Sequence, residues 1–453
     1  MRIAAHTLGC KLNYAETSDH LRRLAEAGHE VVDWTAEADL YIINTCTVTA
    51  VAEKKCRSAI RQAHRRNPDA QIVVMGCFAQ TAADEVARIP GVTQVLGNES
   101  KRLLSYSTAG GHRTRTFFKI QDGCDYFCTY CAIPYARGRS RSATIEETLC
   151  AARRIADEGA KEVVLTGINT GTFGQHSGES FLDLLRRLDQ IDGILRYRIS
   201  SIEPNLLTDD IIDFVARSRA FLPHFHIPLQ AGSDHVLQLM HRRYTTALYA
   251  DKVRRIKAAM PDACIAADIM AGFNGENEEE FRKTLDFVAS IPISYLHVFT
   301  YSDRPGTAAL RLGEKIPVHL RHEHTHRLLQ LSERKLGKFI QSQMGKTRPV
   351  LWESSIKSEV GGRRSEGGSR KAEVERNLQP PTSNLRPPTS DFQPPTSNLR
   401  LPTSDLQPPT SDFMEGWTDN YIRVRTPYDA AKVGTVEPVV LTEANIAKEA
   451  ASD

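Results

Sequence analysis

The sequence predicts an α/β protein in three parts: an N-terminal parallel α/β domain, a central partial barrel of six β/α units, and a small all-β module at the C-terminal end. Three observations carry this. Apolar runs alternate with helix-like stretches from residue 1 to about 110, the alternation restarts at about 113 and passes through six units by residue 300, and beyond residue 350 strand signals recur with no helix between them. A chain of 453 residues is also too long for one ordinary core.

The composition, 41% hydrophobic and 25% charged, is that of a soluble globular protein and excludes a disordered chain. No apolar run approaches the ~18 residues of a membrane span. The start, Met1 to His6, has no signal-peptide core, so a cytoplasmic protein is expected. Nine cysteines in this length read as metal or catalytic residues rather than a secreted disulfide framework. The net charge of +3 permits an RNA partner without demanding one.

In the first part, strands are expected at Ile3 to Leu8, Leu40 to Ile43 and Ile72 to Met75, with helices over 15–27, 50–66 and 79–89. Cys10, Cys46 and Cys77 each fall within two or three residues of a strand's end. All strands of a parallel sheet end at one edge, where ligands bind, so these three thiols should converge. One buried cysteine would mean nothing, since cysteine is a common core residue. Three in register predict a three-thiolate site. Cys56 and Cys150 fall inside helices and Cys264 inside an apolar strand, and these three read as packing residues.

The second part opens with Thr116–Ile120 and continues with strands at Glu162–Leu165, Arg196–Ser200, Phe225–Leu229, Ile265–Ile269 and Tyr295–Thr300. A capping box, Thr144-Ile145-Glu146-Glu147, starts the first helix. Barrel sites form where strands end. Here those ends carry Gly123-Cys124-Asp125-Tyr126-Phe127-Cys128-Thr129-Tyr130-Cys131, then Gly167 and Asn169, Ser201 and Glu203, Gln230, Ala271-Gly272, and Asp303-Arg304. Three thiolates can hold an iron–sulfur cluster that has one iron without a protein ligand. A zinc site would want a fourth Cys or His, and the nearest histidines, His112 and His176, are poorly placed.

A helix over 320–340 follows, and then the third part, with strand signals at Val350-Leu351-Trp352, Gly416 to Val424 and Gly434 to Leu441. Between them a seven-residue unit, Asn377-Leu378-Gln379-Pro380-Pro381-Thr382-Ser383, recurs through Ser411. Its prolines forbid helix and ladder pairing, so a disordered loop is expected there.

The Cys-x3-Cys-x2-Cys loop closely resembles that of radical S-adenosylmethionine enzymes. With the Cys10/Cys46/Cys77 set and the C-terminal module, the whole layout outside the insertion resembles the methylthiotransferases of that class. The resemblance implies domains at 1–110, 111–338 and 339–446, the last a TRAM module interrupted at about 355–413. It implies two 4Fe-4S clusters, one on Cys10, Cys46 and Cys77 and one on Cys124, Cys128 and Cys131. It implies S-adenosylmethionine held by Gly167, Asn169, Ser201, Glu203 and Gln230, and an electron donor such as flavodoxin or ferredoxin.

Three branches of the family act on threonylcarbamoyladenosine in tRNA, on isopentenyladenosine in tRNA, or on a ribosomal-protein aspartate. Gly9-Cys10-Lys11-Leu12-Asn13, Thr47-Val48-Thr49, Pro134 to Ser142 and Ser200 to Pro204 are similar to the first, whereas Ala271, Asn274 and the split β module depart from it. No side-chain acid–base pair is expected, because radical chemistry belongs to the cofactor. Arg137, Arg139 and Arg141 are candidates for phosphate contacts with the tRNA anticodon loop, against the alternative of a solvated basic surface. Arg304, or one of that arginine group, is expected to meet the substrate's carboxylate. A rival class, a non-catalytic iron–sulfur RNA-binding protein, would not cleave S-adenosylmethionine.

Overall fold

A computed structural model of the chain describes residues 1–97, 102–107, 114–355 and 413–447. The proline-rich repeat at 377–411 lies outside the described residues.

The first unit is a five-stranded parallel sheet in the order β2-β1-β3-β4-β5. Its strands are β1 (Arg2–Thr7), β2 (Glu30–Val32), β3 (Leu40–Thr45), β4 (Gln71–Gly76) and β5 (Gln94–Leu96). The helices are α1 (Lys11–Glu26), α2 (Ala50–Arg66), α3 (Cys77–Thr81) and α4 (Ala83–Ala87). The central strand β3 is buried along its whole length, which is why it reads as a continuous apolar run. The two edge strands β2 and β5 have only three residues each and carry too little periodicity to be read from sequence. Helix α1 begins at Lys11, four residues before its apolar pattern becomes legible.

The second unit begins with β6 (Ser105–Tyr106) against β7 (Arg115–Lys119), and a two-strand ribbon, β8 (Gln121–Asp122) with β9 (Arg141–Ser142), closes the base of the first cysteine loop. Inside that loop is α5 (Ile133–Arg137), and α6 (Ile145–Asp157) follows it, capped by Thr144 and Glu147 reciprocally as the capping box predicts. The chain then alternates β10 (Glu162–Thr166), α7 (Phe181–Leu188), β11 (Arg196–Ile199), α8 (Asp209–Arg217) and β12 (His224–His226). It continues through α9 (Asp234–Leu239), α10 (Thr246–Ala259), β13 (Cys264–Ala271), α11 (Glu278–Ser290), β14 (Tyr295–Thr300) and α12 (Val318–Gln343).

Strands β7, β10 and β11 pair in parallel, as do β12, β13 and β14. Bridges at Tyr197–Phe221 and Ser201–His226 join the two sheets into an open six-strand barrel. β12 is shorter than the expected Phe225–Leu229. Pro228 has no N–H to give a ladder, and Gln230 turns away at φ 65°. The barrel lies open between β14 and β7. There α1 of the first unit enters, with Ala15 packed among Phe117 and Val164 and Tyr14 edge-on to Phe117 at 5.7 Å.

The C-terminal strands β15 (Thr347–Ser355), β16 (Phe413–Thr418), β17 (Arg423–Pro427) and β18 (Val436–Val440) form an antiparallel sheet in the order β17-β16-β15-β18. Ser355 near the end of β15 pairs with Met414 near the start of β16. This sheet packs on the end of the barrel where the strands begin. Cys264, Ala266 and Tyr295 share its core with Trp352, Trp417 and Tyr421, and Glu162 holds Arg196 and Arg198 beneath the carbonyls of Trp417 and Thr418. The opposite end, where the strands finish, is left for the site.

Candidate active site between two cysteine loops

Cys10 is the N-cap of α1 just past β1, Cys46 follows β3, and Cys77 is the first residue of α3 after β4. The three thiols therefore meet on one sheet edge. Burial, with Cys10 and Cys77 close by, pushes the Cys46 thiol up to about 12. Gly9 has φ +107°, and a Cβ there would fall 2.8 Å from Cys46 Cβ, so only glycine lets the Cys10 and Cys46 loops approach this closely. Asn13 braces both loops, donating to the carbonyls of Leu8 at 2.8 Å and Thr45 at 3.0 Å.

Cys124, Cys128 and Cys131 curl over the ends of the barrel strands. Gly123, at φ +72°, lies against the Arg139 backbone, where a Cβ would come within 2.0 Å of the Arg139 carbonyl oxygen. Burial and the neighbouring thiols push Cys131 up to about 12. Two sets of three thiols, each gathered at strand ends, are donor sets that a cationic iron–sulfur centre would convert to thiolates. Among the other cysteines, Cys56 is buried and accepts from the Cys46 amide at 3.4 Å, Cys150 is exposed, and Cys264 packs in the β-module core.

The residues expected around S-adenosylmethionine lie at the ends of successive barrel strands. Gly167 and Asn169 follow β10, Ser201 and Glu203 follow β11, and Gln230 follows β12. Gln121 joins the cysteine loop to this arc, donating to the Gly123 carbonyl at 2.8 Å and accepting from the Asn169 amide N–H at 3.0 Å. The side-chain amide of Asn169 is buried beside the Tyr126 hydroxyl, with neither its Oδ1 nor its Nδ2 in a hydrogen bond of good geometry. Such an orphaned polar pair fits a bound polar ligand.

Arg242, which sequence reading missed, donates to Cys128 Sγ at 3.1 Å and to the Tyr130 hydroxyl at 3.4 Å, and pairs with Glu203. Burial raises the Glu203 carboxyl and Arg242 pulls it back only in part. The His241-Arg242-Arg243 run was the available signal. Only the tertiary fold shows that its middle member turns inward.

The cysteine loops open onto one cavity of about 180 Å³. Thr47, Val48 and Thr49, directly after Cys46, form one wall, and Cys131 with Ile133 forms another. Gln230, Met270, Phe299 and Arg304 complete it. A neighbouring recess of about 570 Å³ shares Thr47, Ala132 and Arg304 with it and is edged by the exposed Tyr135.

The arginines expected to contact tRNA separate into different environments. Arg139 is exposed, its guanidinium 4.7 Å from the Phe127 ring. Arg141 is half-buried and bonds the Arg137 carbonyl at 2.6 Å. Arg304 lines the cavity and donates to Thr47 Oγ1 and Glu53 Oε1, both at 2.9 Å. Arg137 is not a phosphate contact. It is 2% exposed, and its guanidinium is enclosed by Glu16 at 3.0 Å, Asp122 at 2.9 Å and Asn13 at 2.5 Å, because α5 turns that side chain onto α1.

Residues 118–288 match the family model described as the Radical SAM superfamily, and residues 2–97 match the one described as Uncharacterized protein family UPF0004. The fold is similar to that of the radical S-adenosylmethionine methyltransferase TsrM from Kitasatospora setae, with TM-score 0.50, 15% identity, and 68% of this chain and 76% of that one covered. An open six-strand barrel with a three-cysteine loop after its first strand thus defines a radical S-adenosylmethionine enzyme, whose cofactors are a 4Fe-4S cluster and S-adenosylmethionine.

The relationships of sequence are narrower. The chain is 40% identical to the threonylcarbamoyladenosine tRNA methylthiotransferase MtaB of Bacillus subtilis strain 168, over 78% of this chain and 85% of that protein. It is 34% identical to a tRNA-2-methylthio-N(6)-dimethylallyladenosine synthase of Nitratidesulfovibrio vulgaris strain Hildenborough, over 77% and 85%. The chain belongs to the radical S-adenosylmethionine tRNA methylthiotransferases.

Proposed function

We propose that this enzyme methylthiolates C2 of N6-threonylcarbamoyladenosine at position 37 of tRNA, beside the anticodon. The single observation that supports the reading is the shared cavity, because the loops of both cysteine triads line it. One site must remove a hydrogen atom and the other must deliver sulfur to the same carbon, so both have to reach one base.

Cys124, Cys128 and Cys131 would hold the cluster that with S-adenosylmethionine would supply hydrogen-atom abstraction, and Cys10, Cys46 and Cys77 would hold a second cluster that would supply the sulfur, a second S-adenosylmethionine supplying the methyl group. The protein's own residues position and exclude water. Gly167, Asn169, Ser201, Glu203 and Gln230 hold the cofactor at the strand ends. Met270, Phe299 and Ile133 give apolar walls to the flipped adenine, which a single-stranded loop releases at modest cost. Arg304 stands at the wall shared by the two recesses, where a substrate carboxylate would meet it. No side chain is assigned as a general acid or base.

The β module is read as TRAM, contacting tRNA away from the reacting base. A low-potential donor of the flavodoxin or ferredoxin type supplies electrons in the cytoplasm. Among the described residues no helix is long and apolar enough to cross a membrane.

The test is nucleoside mass spectrometry of tRNA from a strain lacking the gene, before and after complementation. Loss and return of the 2-methylthio derivative of threonylcarbamoyladenosine is expected. Loss of the isopentenyl derivative instead would move the enzyme to the other tRNA branch.

A further inference from the structure

Below the cavity, on the inner face of the barrel, lies a cluster of ionisable side chains that the reading above does not use. His226 ends β12, Asp268 lies within β13 and His297 within β14. His226 Nε2 and Asp268 Oδ1 are 2.7 Å apart, the two imidazole rings are 5.2 Å apart, and the donor atoms of all three groups lie within 4.8 Å of one another. Side chains two apart on a strand share a face. Asp268 therefore faces the same way as Met270, and His297 the same way as Phe299. Met270 and Phe299 line the cavity, so the cluster is one layer beneath it.

A charge from the other unit acts on the same carboxylate. Burial raises the Asp268 carboxyl, but His226, His297 and Lys11 outweigh it and hold the group below its usual range. Lys11 directly follows Cys10 and comes from the helix that enters the barrel's open side.

Two other polar clusters inside the molecule show what structural networks look like here. Glu16, Lys119, Asp122 and Arg137 are enclosed where α1 meets the barrel, and Glu162, Arg196 and Arg198 are enclosed beneath the β module. Each joins two units and is closed to solvent. The third cluster differs: the His226 and Asp268 side chains are 22% and 18% exposed although they point into a barrel. That partial exposure, one layer beneath Met270 and Phe299, puts them where a ligand reaching past the cavity's apolar wall would end.

We propose that Lys11, His226, Asp268 and His297 are the floor that recognises the polar, amino-acid-derived substituent of the target adenine, with His297 as the specificity-determining side chain. The inference rests on the proposed substrate and names the residues that read it. With the substituent's carboxylate left to Arg304, its hydroxyl and carbonyl can exchange hydrogen bonds with imidazole, ammonium and carboxylate groups. An isoprenoid chain would desolvate the same groups and return nothing, which is costly. Sites built to bond a polar group reject analogues lacking it far more strongly than apolar pockets reject an added one.

The experiment uses the anaerobically reconstituted enzyme and anticodon stem–loops bearing adenosine, threonylcarbamoyladenosine or isopentenyladenosine at the target position. Wild type should bind the threonylcarbamoyl loop at least about tenfold more tightly than the unmodified one. His297→Leu should erase that preference while its affinity for the unmodified loop stays within about twofold, and His297→Gln, which keeps a hydrogen-bonding group, should recover part of it. Iron content equal to wild type certifies that each variant is folded and loaded.

If wild type shows the preference and His297→Leu and His226→Leu both retain it, the floor is not the reader, although the proposed function stands. If wild type does not distinguish the loops, the proposed substrate falls and this inference with it. Two histidines and a carboxylate also suit a divalent metal. One equivalent of a metal other than iron in wild type, absent from His297→Leu, would overturn recognition in favour of a metal centre.

Discussion

The guanidinium of Arg137 donates to Asn13 Oδ1 at 2.5 Å, and Asn13 in turn holds the carbonyls just ahead of Cys10 and Cys46. Arg137 lies six residues after Cys131. One buried hydrogen-bonded chain therefore runs from the barrel's cysteine loop to the loops of the other triad. Glu16 and Asp122 balance the charge, and Lys119 bonds both of them, at 2.9 and 3.1 Å. This contact ties the two sites to each other across the junction of the two units.

Arg137→Ala should leave Glu16 buried with Lys119, and Asp122 with Lys119 and the half-buried Arg141. Breaking a buried pair of this kind costs about 3–5 kcal/mol, measurable by urea unfolding. Product formation should fall more steeply than cleavage of S-adenosylmethionine, because only the former needs both triads in register. Equal losses in the two rates would show that Arg137 serves folding alone.

Glu162 sits under the β module. Burial pushes its carboxyl up, but Arg198, Arg196 and Arg115 hold it below its usual range. A carboxylate whose folded value is depressed contributes stability that is complete above its unfolded value of about 4.3 and is lost as pH falls through the folded one. Stability between pH 7 and pH 3 should therefore decline in wild type and decline less in Glu162→Gln, which starts lower. Parallel curves for the two proteins would remove Glu162 as the acid-sensitive group.

Arg139 is the exposed member of its group. If it meets a phosphate of a single-stranded loop, Arg139→Ala should weaken binding to every stem–loop alike and reduce the slope of log affinity against log salt by about 0.7. An unchanged slope would return Arg139 to the solvated surface.

Changing Cys124, Cys128 and Cys131 to Ala should leave roughly half the reconstituted iron, and so should changing Cys10, Cys46 and Cys77. Cys56→Ala and Cys150→Ser should keep all of it. Cys56 is the sharper control, since its sulfur accepts from the Cys46 backbone yet is packed in the sheet core. Loss of iron in Cys56→Ala with unchanged circular dichroism would add it to the ligand set.

Much of this molecule is legible in the chain itself. Cys10, Cys46 and Cys77 could be placed together because parallel strands share a direction, so every strand end lies on one edge whatever packs outside it. The same rule placed Gly167, Asn169, Ser201, Glu203 and Gln230 on one rim of the barrel, and the capping box marked the start of α6. These are short-range properties: periodicity, spacing and a strand's direction are local.

Only the tertiary structure decided which way the charged side chains turn. Arg137 and Arg139 stand two residues apart in one basic run, yet one is sealed against α1 and the other is open to solvent. Arg242 and Arg243 are adjacent, and the first turns onto Cys128 while the second lies on the outer face of Tyr126. His226, Asp268 and His297 come from three strands, and Lys11 from another unit. A charge buried without a partner is costly, so its place is set by whichever opposite charge or donor the fold brings to it from elsewhere in the chain, and no local pattern records that distance.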